Sequence, residues 1–273
     1  MGFPCDMSDP LPPYFTSLAP FRGAFEGRVP ILTFHKFGER PRGVRLRGMY
    51  LPTALLERQL RELRDARFQA VPVAGSWVRP EGPRVALTID DGFRSVREEA
   101  MPLLSKAGFR ATLYLVAGRL GGWNDWEVQQ GEARAALMTV EEIREWIGEG
   151  HRIGAHSVTH PWLTKIPLDR AREEIRASRK KLEDTFGCGV TDFCYPYGDW
   201  NEAIRAEVVE AGYQTATTTD FGFNGPESDP WSLRRITSRH ASRGVRGIRG
   251  WWRALWGQGS SLGSTMTARS RKT

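Results

Sequence analysis

From residue 29 onward the sequence alternates short apolar runs with longer stretches in which apolar residues recur every three or four positions. Neighbouring parallel strands need a long crossover, usually a helix, so this alternation points to a parallel sheet covered by helices. Strands are expected at 29–35, 68–73, 85–89, 111–116, 152–156, 190–195 and 213–217. Between them, Leu55, Leu56, Gln59, Leu60 and Leu63 mark one face of a helix, and Val96, Ala100, Leu103 and Leu104 mark another that stops at Gly108. Thr139-Val140-Glu141-Glu142 is a capping box opening a third helix. Ala171, Ile175, Ser178, Leu182 and Phe186 trace a long helix ending at Gly187, and one more is expected at 201–211. Residues 117–136 lack periodicity and read as an inserted loop, while the stretch up to His240 is less regular. About seven strand–helix steps, with no GxGxxG after any strand, favour an α/β fold of the distorted (β/α) TIM-like barrel type, seven-stranded and a single domain.

Length and charge refine this reading. A chain of 273 residues can bury a barrel-sized core, and no apolar stretch nears the eighteen or so residues needed to span a bilayer. The three cysteines, Cys5, Cys188 and Cys194, are odd in number and lack CxxC spacing, which argues against a disulfide framework. Residues 1–20 carry five prolines and neither a basic nor a continuous apolar region, so no secretory signal is expected and the cytoplasm is the expected location. The net charge of +7 has a single source, because residues 241–273 hold seven basic side chains and no acid. The remaining 32 basic residues balance 32 acidic ones. The chain therefore divides into a Pro-rich extension over 1–27, a catalytic domain over 28–240 and a basic Trp/Arg-rich tail over 241–273.

The chemistry gathers where strands are expected to end. Val85-Ala86-Leu87-Thr88-Ile89 delivers Asp90 and Asp91 to a turn that Gly92 allows, and His156 and His160 follow, four residues apart. One Asp and two His make a three-ligand set for a divalent metal such as zinc, leaving the second Asp to act as a base. His35 and the Tyr195-Pro196-Tyr197 turn fall at the same rim. An Asp pair alone is more often a helix cap, and a lone HxxxH is more often two solvated helix residues. Pro161 disfavours a helix continuing through His160.

Thr88-Ile89-Asp90-Asp91-Gly92, His156-Ser157-Val158-Thr159-His160-Pro161 and Phe193-Cys194-Tyr195-Pro196-Tyr197-Gly198, in that order, resemble the signature motifs of the polysaccharide deacetylase family, the NodB-homology carbohydrate esterases of family 4. The resemblance implies Asp91, His156 and His160 as metal ligands, Asp90 as the general base toward water, and the Tyr197 backbone N–H at the oxyanion. It implies one divalent metal ion, zinc foremost with cobalt, nickel or iron as alternatives, and an N-acetylated carbohydrate as substrate. Ile31-Leu32-Thr33-Phe34-His35 resembles the first strand of the biofilm poly-N-acetylglucosamine deacetylases, which makes His35 the general acid, with His240 its rival. Many members carry an arginine before the Pro-Tyr motif to orient the base. Phe193-Cys194 stand there instead, and Arg235 is the candidate to replace it.

The expected activity is removal of N-acetyl groups from amino sugars of a glycan or lipid-linked precursor. The alternatives are a carbohydrate-binding protein of the same fold without turnover, and an amidase or deformylase of a small nucleotide- or lipid-linked sugar. Trp123 and Trp126, in the Gly-rich insertion, could stack on a sugar ring from a lid or simply pack. Cys194 reads as a packed strand cysteine and His151 as a surface residue. In the tail, Trp251, Trp252 and Trp256 among arginines suit peripheral contact with an anionic membrane, with a disordered tail as the alternative. Nucleic acid is set aside, because no reading module accompanies the charge.

Overall fold

The computed structural model describes residues 11–74 and 82–239. Seven parallel strands close into a ring: β1 (Ile31–Phe34), β2 (Arg84–Ile89), β3 (Thr112–Leu115), β4 (Arg152–Ala155), β5 (Asp192–Cys194), β6 (Thr215–Phe221) and β7 (Leu233–Ser238). The ring closes where β7 pairs with β1, Ile236 opposite Leu32 and Thr237 opposite Thr33. It is a distorted seven-stranded barrel, since β4 and β5 meet through one register pair, Ala155 with Phe193, and the β6–β7 pairing contains a bulge. Near-continuous burial along β1, β2 and β3 follows from packing on both faces, the barrel interior and the surrounding helices.

The helices form where their apolar stripes predict. Helix α1 (Thr53–Asp65) buries Leu55, Leu56, Gln59, Leu60 and Leu63. Helix α2 (Met101–Ala107) follows a π turn and stops at Gly108, whose φ of 75° suits glycine at a helix end. In α3 (Val140–Gly148) both bonds of the capping box form, Thr139 Oγ1 accepting from Glu142 N at 3.3 Å and Glu142 accepting from Thr139 N at 2.9 Å. Helix α4 (Leu168–Phe186) ends at Gly187 in the left-handed region, and α5 (Glu202–Glu210) is capped by Asn201. Among the described residues no helix is long and apolar enough to cross a membrane.

Three expectations change. The strand expected at 68–73 is only Gln69–Ala70, paired to β2 outside the ring, and the seventh barrel strand is β7, drawn from the stretch read as less regular. Adjacent arginines at 234 and 235 hid it, because one points to solvent and the other is buried with a counter-ion. The boundary expected at residue 28 is also displaced. Tyr14–Phe15 pairs with β7, Gln59 donates to the Phe15 carbonyl at 2.9 Å, and Phe15, Phe21 and Phe25 pack ring to ring, so this part of the extension belongs to the core. The tail, with its proposed membrane contact, and His240 lie outside the described residues.

His151 is the third correction. It is buried, not at the surface, stacked on Trp146 at 3.8 Å between ring centroids, and its Nδ1 accepts from Ala111 N at 3.1 Å. Burial, with Arg110 nearby, lowers its pKa from 6.5 to about 4. Because the unfolded chain takes up this proton first, stability is complete above pH 6.5 and falls as pH drops toward 4, by up to roughly 1.4 kcal/mol per unit. Melting temperatures measured from pH 7 to 4 should therefore decline less steeply in His151→Gln than in the wild type. Parallel curves would show that His151 has no part in the acid limb.

Candidate active site

The catalytic candidates sit on the rim formed by the C-terminal ends of the strands. Strand β2 ends at Ile89, and Asp90 N donates to the Phe34 carbonyl at 2.9 Å, fixing the pair beside the end of β1. Asp91 then turns out of the strand direction at φ 74° and Gly92 follows at 78°. Of the five non-glycine residues with positive φ among the described residues, four are here: Asp91, Ser157, His160 and Tyr197. Such strain persists only where surrounding contacts hold it, as they do at functional sites. The turn carrying the histidines is held by Glu174 of α4, which accepts from Val158 N and Thr159 N at 2.8 Å each and from Thr159 Oγ1 at 2.7 Å.

The structure brings Asp91, His156 and His160 together as a buried triad. Asp91 Oδ1 lies 3.4 Å from His156 Nε2 and 3.3 Å from His160 Nε2, and the two Nε2 atoms are 3.2 Å apart. Tetrahedral bonds of about 2.0–2.1 Å set donor atoms about 3.3–3.4 Å apart, so the spacing fits a zinc-sized cation. Tautomer chemistry agrees. His156 Nδ1–H donates to the Cys194 carbonyl at 2.6 Å, which orients the ring with Nε2 toward Asp91, as in a ligand positioned by its second nitrogen. Burial would raise the Asp91 carboxyl, but its contacts with His156 and His160 outweigh that and hold it well below the usual carboxylate range.

Asp90 has a different environment. Arg235 of β7 reaches across the barrel mouth and grips it with both ends of the guanidinium, Nη1 to Oδ1 at 2.8 Å and Nη2 to Oδ2 at 2.7 Å. Arg235 Nε donates to the Thr218 carbonyl and Nη1 to Thr88 Oγ1, so the fork is fixed before Asp90 is counted. Burial acts to raise the Asp90 carboxyl; Arg235 and then His35 more than offset it, and the net shift is downward. A carboxylate so held stays anionic and oriented. Partly buried His35 places Nε2 3.5 Å from Asp90 Oδ2, and burial lowers its pKa against the opposing pull of Asp90 and Asp91. Cys194 is buried with Sγ 3.2 Å from Arg235 Nη2, while His156 contacts its carbonyl, which leaves the thiol as a packed strand residue. A second conceivable metal group, Asp90 with His156 and Cys194, already has a cation in Arg235.

These groups open into a cleft of about 460 Å³. Trp126 lines it and stacks on His160 at 4.7 Å, whereas Trp123 does not; its ring lies 4.1 Å from the Arg134 guanidinium, outside the cleft. The insertion carrying both is fastened down. Glu127 pairs with buried Lys36, Glu132 accepts from the backbone N–H groups of Arg45 and Leu46, and Trp123 bridges to Ala136. It is a packed wall of the site. Trp162, which the sequence reading passed over, lies flat on Tyr197 at 4.1 Å with an interplanar angle of 4° and remains 46% exposed at the cleft. Its position directly after His160-Pro161 was the available signal. Lys36, Glu127 and Glu174 were also missed, since a charged residue in a sequence gives no sign that it will be buried with a partner.

Comparison with known proteins agrees with this geometry. The polysaccharide deacetylase family profile matches residues 78–216, which include Asp90, Asp91, His156, His160 and Tyr197. The YxkH protein of Bacillus subtilis strain 168 is 25% identical over 215 residues, 77% of this chain and 71% of its own. The peptidoglycan-N-acetylglucosamine deacetylase PgdA of Listeria monocytogenes is 26% identical over 126 residues, 46% of this chain but only 24% of PgdA. In fold, the Streptococcus pyogenes deacetylase PplD, solved with acetate, superposes with a TM-score of 0.67 at 21% identity, covering 81% of this chain and 97% of that one. With its motifs clustered on the rim of a seven-stranded barrel, the chain belongs to the polysaccharide deacetylase family.

Proposed function

We propose that the protein is a metal-dependent hydrolase that removes N-acetyl groups from amino-sugar residues of a glycan or lipid-linked glycan precursor. The observation that carries the reading is the division of labour within the Asp pair: Asp91 faces two imidazoles, and its neighbour faces a guanidinium and an imidazole. Asp91, His156 and His160 would hold one divalent ion, zinc by preference, and when bound it supplies Lewis acidity toward water and the acetyl carbonyl. Asp90, kept anionic by Arg235, accepts the proton of the attacking water. His35, 3.5 Å away, stands where it can pass a proton to the departing amine. The Tyr197 N–H is the candidate donor to the oxyanion.

The test is product identity. Metal-loaded protein should release acetate from an N-acetylglucosamine oligosaccharide in a panel that also contains N-formyl and O-acetyl sugars. Formate as the only product would replace deacetylation by deformylation, and saccharide binding without any product would favour a binding protein.

The aromatic wall gives a second expectation. Trp162 has an exposed indole face at the cleft, suited to the apolar face of a pyranose ring, and such stacking contributes roughly 0.5–1.5 kcal/mol. Trp162→Ala should raise KM for the oligosaccharide up to about tenfold while metal content stays at the wild-type level. An unchanged KM would remove Trp162 from the sugar site.

A further inference from the structure

Among the described residues, one charge in the cleft has no counter-charge. Of the charged residues lining it, Asp90 is matched by Arg235, Glu127 by Lys36, and Asp91 faces His156 and His160. Arg239 also lines the cleft, and among the described residues no carboxylate pairs with it and no acceptor takes a hydrogen bond from its guanidinium.

The side chain has packing partners. Arg239 N donates to the Phe15 carbonyl at 3.2 Å, and the guanidinium carbon sits 5.1 Å from the centre of the buried Tyr14 ring. Gly48 makes the room on another side, because a Cβ there would lie 2.9 Å from Nη1 and 3.2 Å from Cδ of Arg239. The register of the barrel closure, Thr237 opposite Thr33, carries Arg239 to the level of His35 on the neighbouring strand end. A guanidinium fork with no acceptor among the described residues therefore stands at the same rim as the candidate acid. Guanidinium forks match the oxygens of phosphate and carboxylate groups.

We propose that Arg239, set between Tyr14 and Gly48, is an oxyanion-binding subsite beside His35, and that the preferred saccharide carries a phosphate or carboxylate next to its N-acetylated sugar. The subsite rests on the deacetylase reading for its biological meaning, while its anion binding is measurable without turnover. The test uses the full-length, zinc-loaded protein with chitotriose, chitotriose 1-phosphate and the C1 carboxylate chitotrionic acid as substrates. Wild-type protein should turn over at least one anionic trisaccharide with a kcat/KM about tenfold above neutral chitotriose, mostly through KM, and the favoured arm identifies the oxyanion. In Arg239→Met that ratio should fall close to one, and Arg239→Lys should retain part of it. The same ratio in wild type and Arg239→Met overturns the subsite. Should no trisaccharide release acetate, the deacetylase reading fails, and calorimetric titration with chitotriose 1-phosphate and chitotrionic acid then decides the subsite separately. Weaker binding of either by Arg239→Met than by wild type supports it, and equal binding of both overturns it.

Discussion

Asp90→Asn should lower acetate release by about 10²–10⁴-fold, the range a positioned general base contributes, and should leave metal binding intact. The two halves of that result are separable because the Asp pair is asymmetric. Asp91 Oδ1 meets both imidazoles, whereas Asp90 meets Arg235 through both oxygens. Asparagine keeps the shape and one acceptor but cannot take a proton. It also leaves buried Arg235 without its counter-charge, which costs stability, so activity and metal content should be compared where thermal melting shows both proteins folded. Activity within tenfold of wild type, at equal metal content, would place the base elsewhere.

Arg235→Met should be the most destabilising single change at the site. Removing one partner of a buried pair strands the other charge, at about 3–5 kcal/mol, which for a chain this size is a drop in melting temperature on the order of 10 °C. The pH dependence changes sign as well. With Arg235 present, the folded-state pKa of Asp90 lies below its usual value, so its contribution is complete above the normal carboxylate range and is lost as pH falls through the folded value. Without Arg235 burial dominates, the folded pKa rises, and stability is lost as pH increases instead. The acid limb of the activity profile should shift upward with it, because the base now protonates at higher pH. Melting curves and pH–rate profiles for Arg235→Met and Arg235→Lys separate charge from fit, lysine recovering part of the stability but not the bidentate grip. A wild-type melting temperature with an unmoved acid limb would show that Arg235 does not control Asp90.

Much of this was legible from residue order. The run into Asp90-Asp91-Gly92 had to end at a turn, and the HxxxH before Pro161 could not continue as a helix, so both were expected at strand ends, where the structure has them. Arg235 was visible only as a replacement for an arginine absent before Pro196; its own strand was obscured, because a buried arginine breaks the alternation by which strands are read. The aromatic wall divided in the same way. Trp123 and Trp126 are indistinguishable in sequence, yet the bridge to Ala136 turns one toward Arg134 and the fastening of Glu127 to Lys36 leaves the other against His160. The Lys36–Glu127 pair joins residues 91 positions apart, and no local pattern encodes it.

The most direct measurement is a metal titration of activity. After chelation and dialysis, acetate release from an N-acetylglucosamine oligosaccharide should vanish and return in proportion to added zinc, up to one equivalent per chain. Asp91→Ala should bind no equivalent, and Asp90→Asn should bind one and stay inactive. Full turnover by metal-free protein, or zinc bound at wild-type affinity by Asp91→Ala, would contradict the assignment of the Asp91–His156–His160 triad.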